Sequence, residues 1–155
     1  MTSPTSDHQH VVFQIQYWIA DHFHRTGSGK GLGAPLDVIL ANDCVLQPDV
    51  LAIRRDNAAI VKSRGIEGAP DLVVEVMSPS TGQRDMRMKR SLYARFGVKE
   101  YWIVDVEGRT LWQLVLEGDR YREIAERHGD ESVESSVFPG LRVRLREVWP
   151  PPTSA

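Results

Sequence analysis

A carboxylate inside an apolar run is the residue of this sequence that most needs a partner. Glu75 lies within Leu72-Val73-Val74-Glu75-Val76-Met77, with Pro70-Asp71 before it and Ser78-Pro79-Ser80-Thr81 after it. An ionised carboxylate is costly to bury alone, so it calls for a metal ion or a cation beside it. Asp49, in Gln47-Pro48-Asp49-Val50-Leu51, is a second acid at the head of an apolar run. Lys89 follows in a stretch of helical character. Two strand-borne acids and a lysine are the parts of a metal-dependent phosphodiesterase site.

Strand geometry makes their convergence plausible. Side chains alternate along a strand, so Asp71, Val73, Glu75 and Met77 share one face, and Asp49, Leu51 and Ile53 share a face of theirs. Neighbouring strands lie about 4.8 Å apart, close enough for Asp49 and Glu75 to meet on one ion. Two hard carboxylate oxygens suit Mg²⁺ or Mn²⁺, with water and a phosphate completing the shell. On the helix after Glu75, Asp85, Lys89, Leu92 and Phe96 fall on one side, flanked by Met88 and Tyr93. Two charges therefore occupy the face that must pack on the sheet. Arg84, Arg87 and Arg90 lie on the opposite, solvated side.

The elements that position these residues follow from periodicity. Residues 1–7 read as a loose tail, and a helix is expected from about His8 to His24, with Val11, Val12, Ile15, Trp18, Ile19 and Phe23 as its apolar stripe. Gly27 to Gly31 reads as a flexible loop. Leu36–Ala41 and Val45–Arg54 read as an antiparallel hairpin turning at Asn42-Asp43, and 55–68 as a loop. Asp71–Met77, apolar almost throughout, is expected at the centre of a sheet. Ser80 and Gln83 have capping-box spacing, and a helix follows from about Gln83 to Phe96, ended by Gly97. Tyr101–Val104, Leu111–Leu116, Arg120–Ile124 and Arg142–Leu145 complete the strands. The order is helix, strand, strand, strand, helix, strand, then additional C-terminal antiparallel strands: a mixed α/β domain around one sheet, spanning 8–149, with 1–7 and 150–155 as tails.

Composition sets the outer limits. The chain of 155 residues is one domain's length, and 41% hydrophobic with 26% charged residues is globular rather than disordered. The single Cys44 excludes an internal disulfide and any multi-cysteine zinc site, which fits a reducing, cytoplasmic setting. No apolar run approaches the roughly 20 residues that span a bilayer. A net charge of −2 does not advertise nucleic-acid binding, although acidic ligands lower the sum and a local basic surface matters more.

Taken together, Pro48-Asp49, the stretch Pro70 to Thr81, Asp85 with Lys89 and Tyr93, and Gly97-Val98-Lys99-Glu100-Tyr101-Trp102-Ile103-Val104-Asp105 closely resemble the Uma-two family of restriction-endonuclease-like proteins. That family is a branch of the PD-(D/E)XK nuclease superfamily. Phe138-Pro139-Gly140-Leu141 and His8-Gln9 resemble its C-terminal end and the start of its first helix. The resemblance implies a restriction-endonuclease-like αβββαβ core and a Mg²⁺-dependent DNA endonuclease. Asp49 is then the first metal ligand and Glu75 the second. The superfamily lysine normally stands two residues after that glutamate, where this chain has Met77; the resemblance moves its role to Lys89. Relatives also carry a segment before the first helix, so this chain starts late.

Each signal has a plainer reading. Glu75 and Lys89 can form a structural ion pair only, and Pro-Asp at a strand start is common turn chemistry. Asp71 is a secondary ligand candidate, and Asp85 a partner that holds Lys89. His8 and His22 fall on the stripe of the first helix and His24 points elsewhere; all three read as structural, with an approach of His8 to the site as its lesser alternative. The arginines of the second helix are a solvated face, or touch phosphates if the substrate is DNA. The competing function is a catalytically inactive nuclease-fold module for nucleic-acid binding or dimerisation. A homodimer is expected where both strands of a duplex are cut.

Overall fold

The N-terminal apolar stripe forms α1 (Ser6–Thr26) in the computed structural model, which describes residues 5–78 and 82–152. Thr5 caps the helix by accepting the His8 amide, so α1 starts two residues before the expected His8 and takes in part of the stretch read as a tail. Val11, Ile15, Ile19 and Phe23 are buried along it. Gly27, at φ 66°, closes the helix with its amide on the Phe23 carbonyl.

The next segment departs from the sequence reading. Gly29–Gly33, expected as a flexible loop, is a strand, β1, paired antiparallel along its whole length. Its glycines reflect close packing rather than flexibility. A Cβ on Gly31 would stand 2.9 Å from Ile19 Cγ2 of α1, and one on Gly29 would stand 2.6 Å from the Ile53 carbonyl oxygen. The hairpin is corrected too. β2 (Val38–Ala41) pairs with β3 (Cys44–Leu46), but Gln47-Pro48 breaks the expected Val45–Arg54 strand, and β4 (Val50–Arg54) joins a different sheet. Proline cannot donate to a ladder, so the chain leaves one sheet there and enters another. The stretch 55–68 is a 3-10 helix (Arg55–Ile60) followed by the short strands β5 (Val61–Lys62) and β6 (Gly65–Glu67).

From β7 (Leu72–Met77) onward the expected order holds. α2 (Gln83–Arg95), β8 (Glu100–Asp105) and β9 (Thr110–Glu117) follow. Gly82 is the N-cap of α2 and makes no side-chain cap; the Ser80 half of the expected capping box lies outside the described residues. β10 (Arg120–His128) runs past the expected end at Ile124, because a bulge there resets its alternation. β11 (Ser132–Glu134), not expected, pairs with β12 (Arg142–Arg144).

Among the described residues three sheets replace the single one expected. The six-stranded sheet has the order β1-β4-β7-β8-β9-β10 and is antiparallel except for the parallel β7–β8 pair, which α2 connects. Thus α1, β1, β4, β7, α2 and β8 form an αβββαβ core with a mixed central sheet. The small sheet β3-β2-β6-β5 and the ribbon β11-β12 are accessories. α1 covers one face of the large sheet, over Val50, Ala52, Leu72, Val74 and Val76. On the other face α2 sets Tyr93 against Val73 and Tyr101, while the small sheet covers Leu51 and Ile53 through Val38 and Ile66.

One buried acid is wholly structural. Glu100, with no exposed surface, accepts hydrogen bonds from Trp102 Nε1, Gln113 Nε2, Ser135 Oγ and the amides of Ser136 and Val137. Five neutral donors satisfy its lone pairs and tie the β11–β12 region to the sheet. Sequence reading did not single it out.

The close approach at β1 predicts a clear cost. Gly29→Ala places a methyl against a backbone carbonyl that cannot swing away, so urea unfolding should show a loss of about 1–3 kcal/mol. An unchanged midpoint would contradict β1 as a tightly covered strand.

Candidate active site

β4 and β7 run antiparallel, with Val50 opposite Val74 and Leu51 opposite Val73. One step further along this register sets Asp49 opposite Glu75. Asp49 stands just before β4 because Pro48 has ended the preceding path, and Glu75 lies inside β7 on the face that α2 covers. α2 returns over that face because Tyr93 and Ala94, near its C-terminal end, pack down on the sheet. Lys89, one turn before Tyr93, is thereby carried over Glu75.

The side chains meet. Lys89 Nζ is 3.6 Å from Glu75 Oε2 and 3.5 Å from Asp85 Oδ2. The Tyr93 hydroxyl donates to Glu75 Oε1 at 2.7 Å. Asp49 Oδ2 accepts the Val76 amide at 2.7 Å, one residue beyond Glu75. Glu75 is 5% exposed at its side chain, whereas Asp49 and Lys89 are 20% and 22% exposed, so solvent reaches the pair from their side.

His8 joins the site, which is the lesser of its two readings from sequence. Its Nε2 lies 2.9 Å from the Val76 carbonyl and 3.5 Å from Asp49 Oδ2, so the first turn of α1 joins both acid-bearing strands. The signal was available: a polar residue in register with the buried stripe of a helix must find a polar partner on the sheet. A cleft of about 360 Å³ opens beside it, lined by Thr5, Asp7, His8, Met77, Ser78, Asp105, Val106 and Glu107.

Asp85 and Asp71 separate. Asp85 is half-exposed and holds Lys89 from the neighbouring turn of α2. Asp71 is not brought to the site. It lies at the other end of β7, about 13 Å along the strand from Glu75. Its carboxylate accepts the Arg54 amide and the Asn57 side chain, closing the turn after β4.

Electrostatics single out Glu75. Burial pushes its carboxyl up to about 7; Lys89 pulls it back, Asp49 adds to the rise, and the Tyr93 hydrogen bond favours the ionised form. Burial alone would lower Lys89, but Glu75, Asp85 and Asp49 outweigh it and hold the amine as an ammonium. Burial and the Glu75 charge keep the Tyr93 hydroxyl protonated, so it serves as a donor. His8 is raised, chiefly by its hydrogen bond to Asp49 and against burial.

The donor set fits a hard divalent cation. Two carboxylates on adjacent strands are the protein share of a Mg²⁺ or Mn²⁺ site, and such ions take the rest of their shell from water and phosphate. Among the described residues no cluster of three or more His, Cys, Asp or Glu side chains is placed to hold a metal.

The Uma2 family, described as "Putative restriction endonuclease", matches residues 1–146. The chain belongs to the Uma2 family. A solved structure from Anabaena variabilis ATCC 29413, described as "a putative nuclease belonging to DUF820", is similar with a TM-score of 0.77. The match covers 96% of this chain and 83% of that one at 15% identity, which makes the likeness one of fold. A comparison with curated proteins found no match. Among the described residues no helix is long and apolar enough to cross a membrane.

The raised Glu75 predicts a pH dependence. The folded state keeps a proton up to about pH 7 that the unfolded chain releases near 4.5. The associated stabilisation is complete below pH 4.5, falls as pH rises between these values, and is gone above 7. Urea unfolding of the metal-free protein should show it as a change of about 3 kcal/mol in the difference between wild type and Glu75→Gln across that window. A flat difference would mean that Glu75 is ionised throughout.

Proposed function

We propose that this member of the Uma2 family is a Mg²⁺- or Mn²⁺-dependent DNA endonuclease that hydrolyses phosphodiester bonds. The observation that supports the reading most is the Lys89 ammonium seated on Glu75, with Asp49 one register step away on the neighbouring strand. Family membership and the nuclease fold support it. Asp49 and Glu75 would hold the cation. When bound, that cation supplies Lewis acidity toward the phosphate and acidifies water at the site.

The chain's own groups have distinct tasks in this reading. Glu75 must be ionised to serve as a ligand, and Lys89 and Tyr93 both favour that form. Tyr93 fixes the carboxyl through Oε1 and leaves the Oε2 side to Lys89. Because Lys89 is held as an ammonium, it acts as a charge and hydrogen-bond donor toward water or the phosphate oxygens, where negative charge grows during attack. Asp85 keeps the lysine stem aimed inward. His8 braces Asp49 and the β7 backbone from the opposite face of the sheet.

Plasmid cleavage tests this. With Mg²⁺ or Mn²⁺ the wild type should nick or linearise DNA, and Glu75→Ala and Lys89→Ala should each slow it by about 10²-fold or more. Equal activity in all three preparations points to a contaminant and defeats the assignment.

The small donor set favours one competing reading, an inactive nuclease-fold module in which Lys89 neutralises Glu75 permanently. Titration calorimetry with Mn²⁺ separates the two. Heat that disappears in Asp49→Ala supports the enzyme; no heat from the wild type, or the same heat after the substitution, supports the inactive module.

A further inference from the structure

α2 is strongly basic in an acidic chain. Its 13 residues include Arg84, Arg87, Lys89, Arg90 and Arg95 against Asp85 alone, while the whole chain carries a net −2. Two of these cations have evident tasks: Lys89 lies on Glu75 and Asp85, and Arg95 stacks over Phe96. Arg84, Arg87 and Arg90 are exposed, and among the described residues none stands within ion-pair distance of a carboxylate. The same is true of Arg120 at the start of β10. It joins Arg87, Arg90 and Ser91 around a shallow cleft that also includes Asp119 and Tyr121.

Helix stability does not explain this pattern. A cation in the first turn, where Arg84 stands, opposes the helix dipole, against Asp85 of the same turn, which favours it. A local rule broken next to a candidate site points to function. The side chains also indicate what is bound. The rings nearest this stripe, Tyr93 of α2 and Tyr121 of the cleft, are both buried, so the face offers cations for phosphates rather than an open ring on which an unpaired base could stack.

We propose that duplex DNA lies along the outer face of α2, with its sugar–phosphate backbone held by Arg84, Arg87, Arg90 and Arg120. On the helix Arg90 stands about 100° from Lys89 and Arg84 and Arg87 stand further round, so this stripe would hold the duplex beside the site rather than over Glu75. This deepens the nuclease reading and rests on it. The chain has a rival basic surface on the other side of the large sheet, where Arg25, Arg142 and Arg144 surround a cavity with Trp18 and Glu147. Arg25 is already paired with Asp21, and the surface is separated from Glu75 by the sheet itself.

Fluorescence anisotropy with a short labelled duplex, in EDTA so that no cleavage intervenes, decides between the surfaces. Arg87→Gln with Arg90→Gln should weaken binding about tenfold or more and lower the slope of log affinity against log salt by about 2. Arg84→Gln with Arg120→Gln, a second pair in case the first fails to fold, should behave alike. Arg142→Gln with Arg144→Gln should bind as wild type. Circular dichroism and melting confirm that each variant is folded. If the wild type binds and the loss falls on the Arg142/Arg144 pair, or on neither, the α2 path is wrong while the nuclease reading stands. If an unlabelled single strand competes better than the duplex, the assignment to duplex DNA is overturned. If the wild type binds no DNA, the nuclease reading falls as well.

Discussion

The contact between the Glu75 carboxyl and the Lys89 ammonium is the constraint around which the molecule is arranged. A buried acid on the central strand of a sheet is an expensive choice, and an apolar residue there would stabilise the core more. The chain keeps it tolerable with a lysine one turn before a buried tyrosine, so that α2 delivers a cation and a hydroxyl donor to the same carboxyl. The parallel β7–β8 connection follows from that need, because α2 must cross the face on which Glu75 stands. Asp49 completes the arrangement from the neighbouring strand and raises the cost of ionising Glu75, a cost that a divalent cation would relieve.

The two buried glutamates show how burial divides by role. Glu100 is surrounded by five neutral donors and is closed to further partners, a structural knot between the sheet and the 135–137 segment. Glu75 is held by one hydroxyl and one cation among the described residues, beside groups that water reaches. Both acids are buried; the difference lies in what satisfies them and from which side they remain approachable. That contrast, rather than burial alone, marks Glu75 as the chemical one.

Sequence made the β7–α2–β8 unit legible because its signals agree: an apolar strand, a glycine-ended helix and a second apolar strand. It also carried the pairing of Lys89 with Glu75, since two charges on a sheet-facing helix stripe demand a partner. It failed where side chains are small or polar. β1 reads as a loop because glycine marks both flexible turns and the closest packing, and only the presence of Ile19 and Ile53 separates the two. The hairpin was extended through Pro48 because apolar alternation continues across it, while the missing amide hydrogen moves the chain to another sheet. His8 is ranked below its real place and Glu100 is passed over because their partners, Asp49 and Val76 in one case and the 135–137 segment in the other, are distant in sequence. The order of core elements was nevertheless preserved, with β1 taking the place assigned to the first arm of the hairpin.

A crystal of the protein soaked in Mn²⁺ and measured for anomalous scattering tests the shared cation site most directly. A peak about 2.0–2.3 Å from one oxygen of Asp49 and one of Glu75, with Lys89 still adjacent, is the expected result. A fully soaked crystal with no peak between these two carboxylates, and Lys89 Nζ still seated on Glu75, would contradict it.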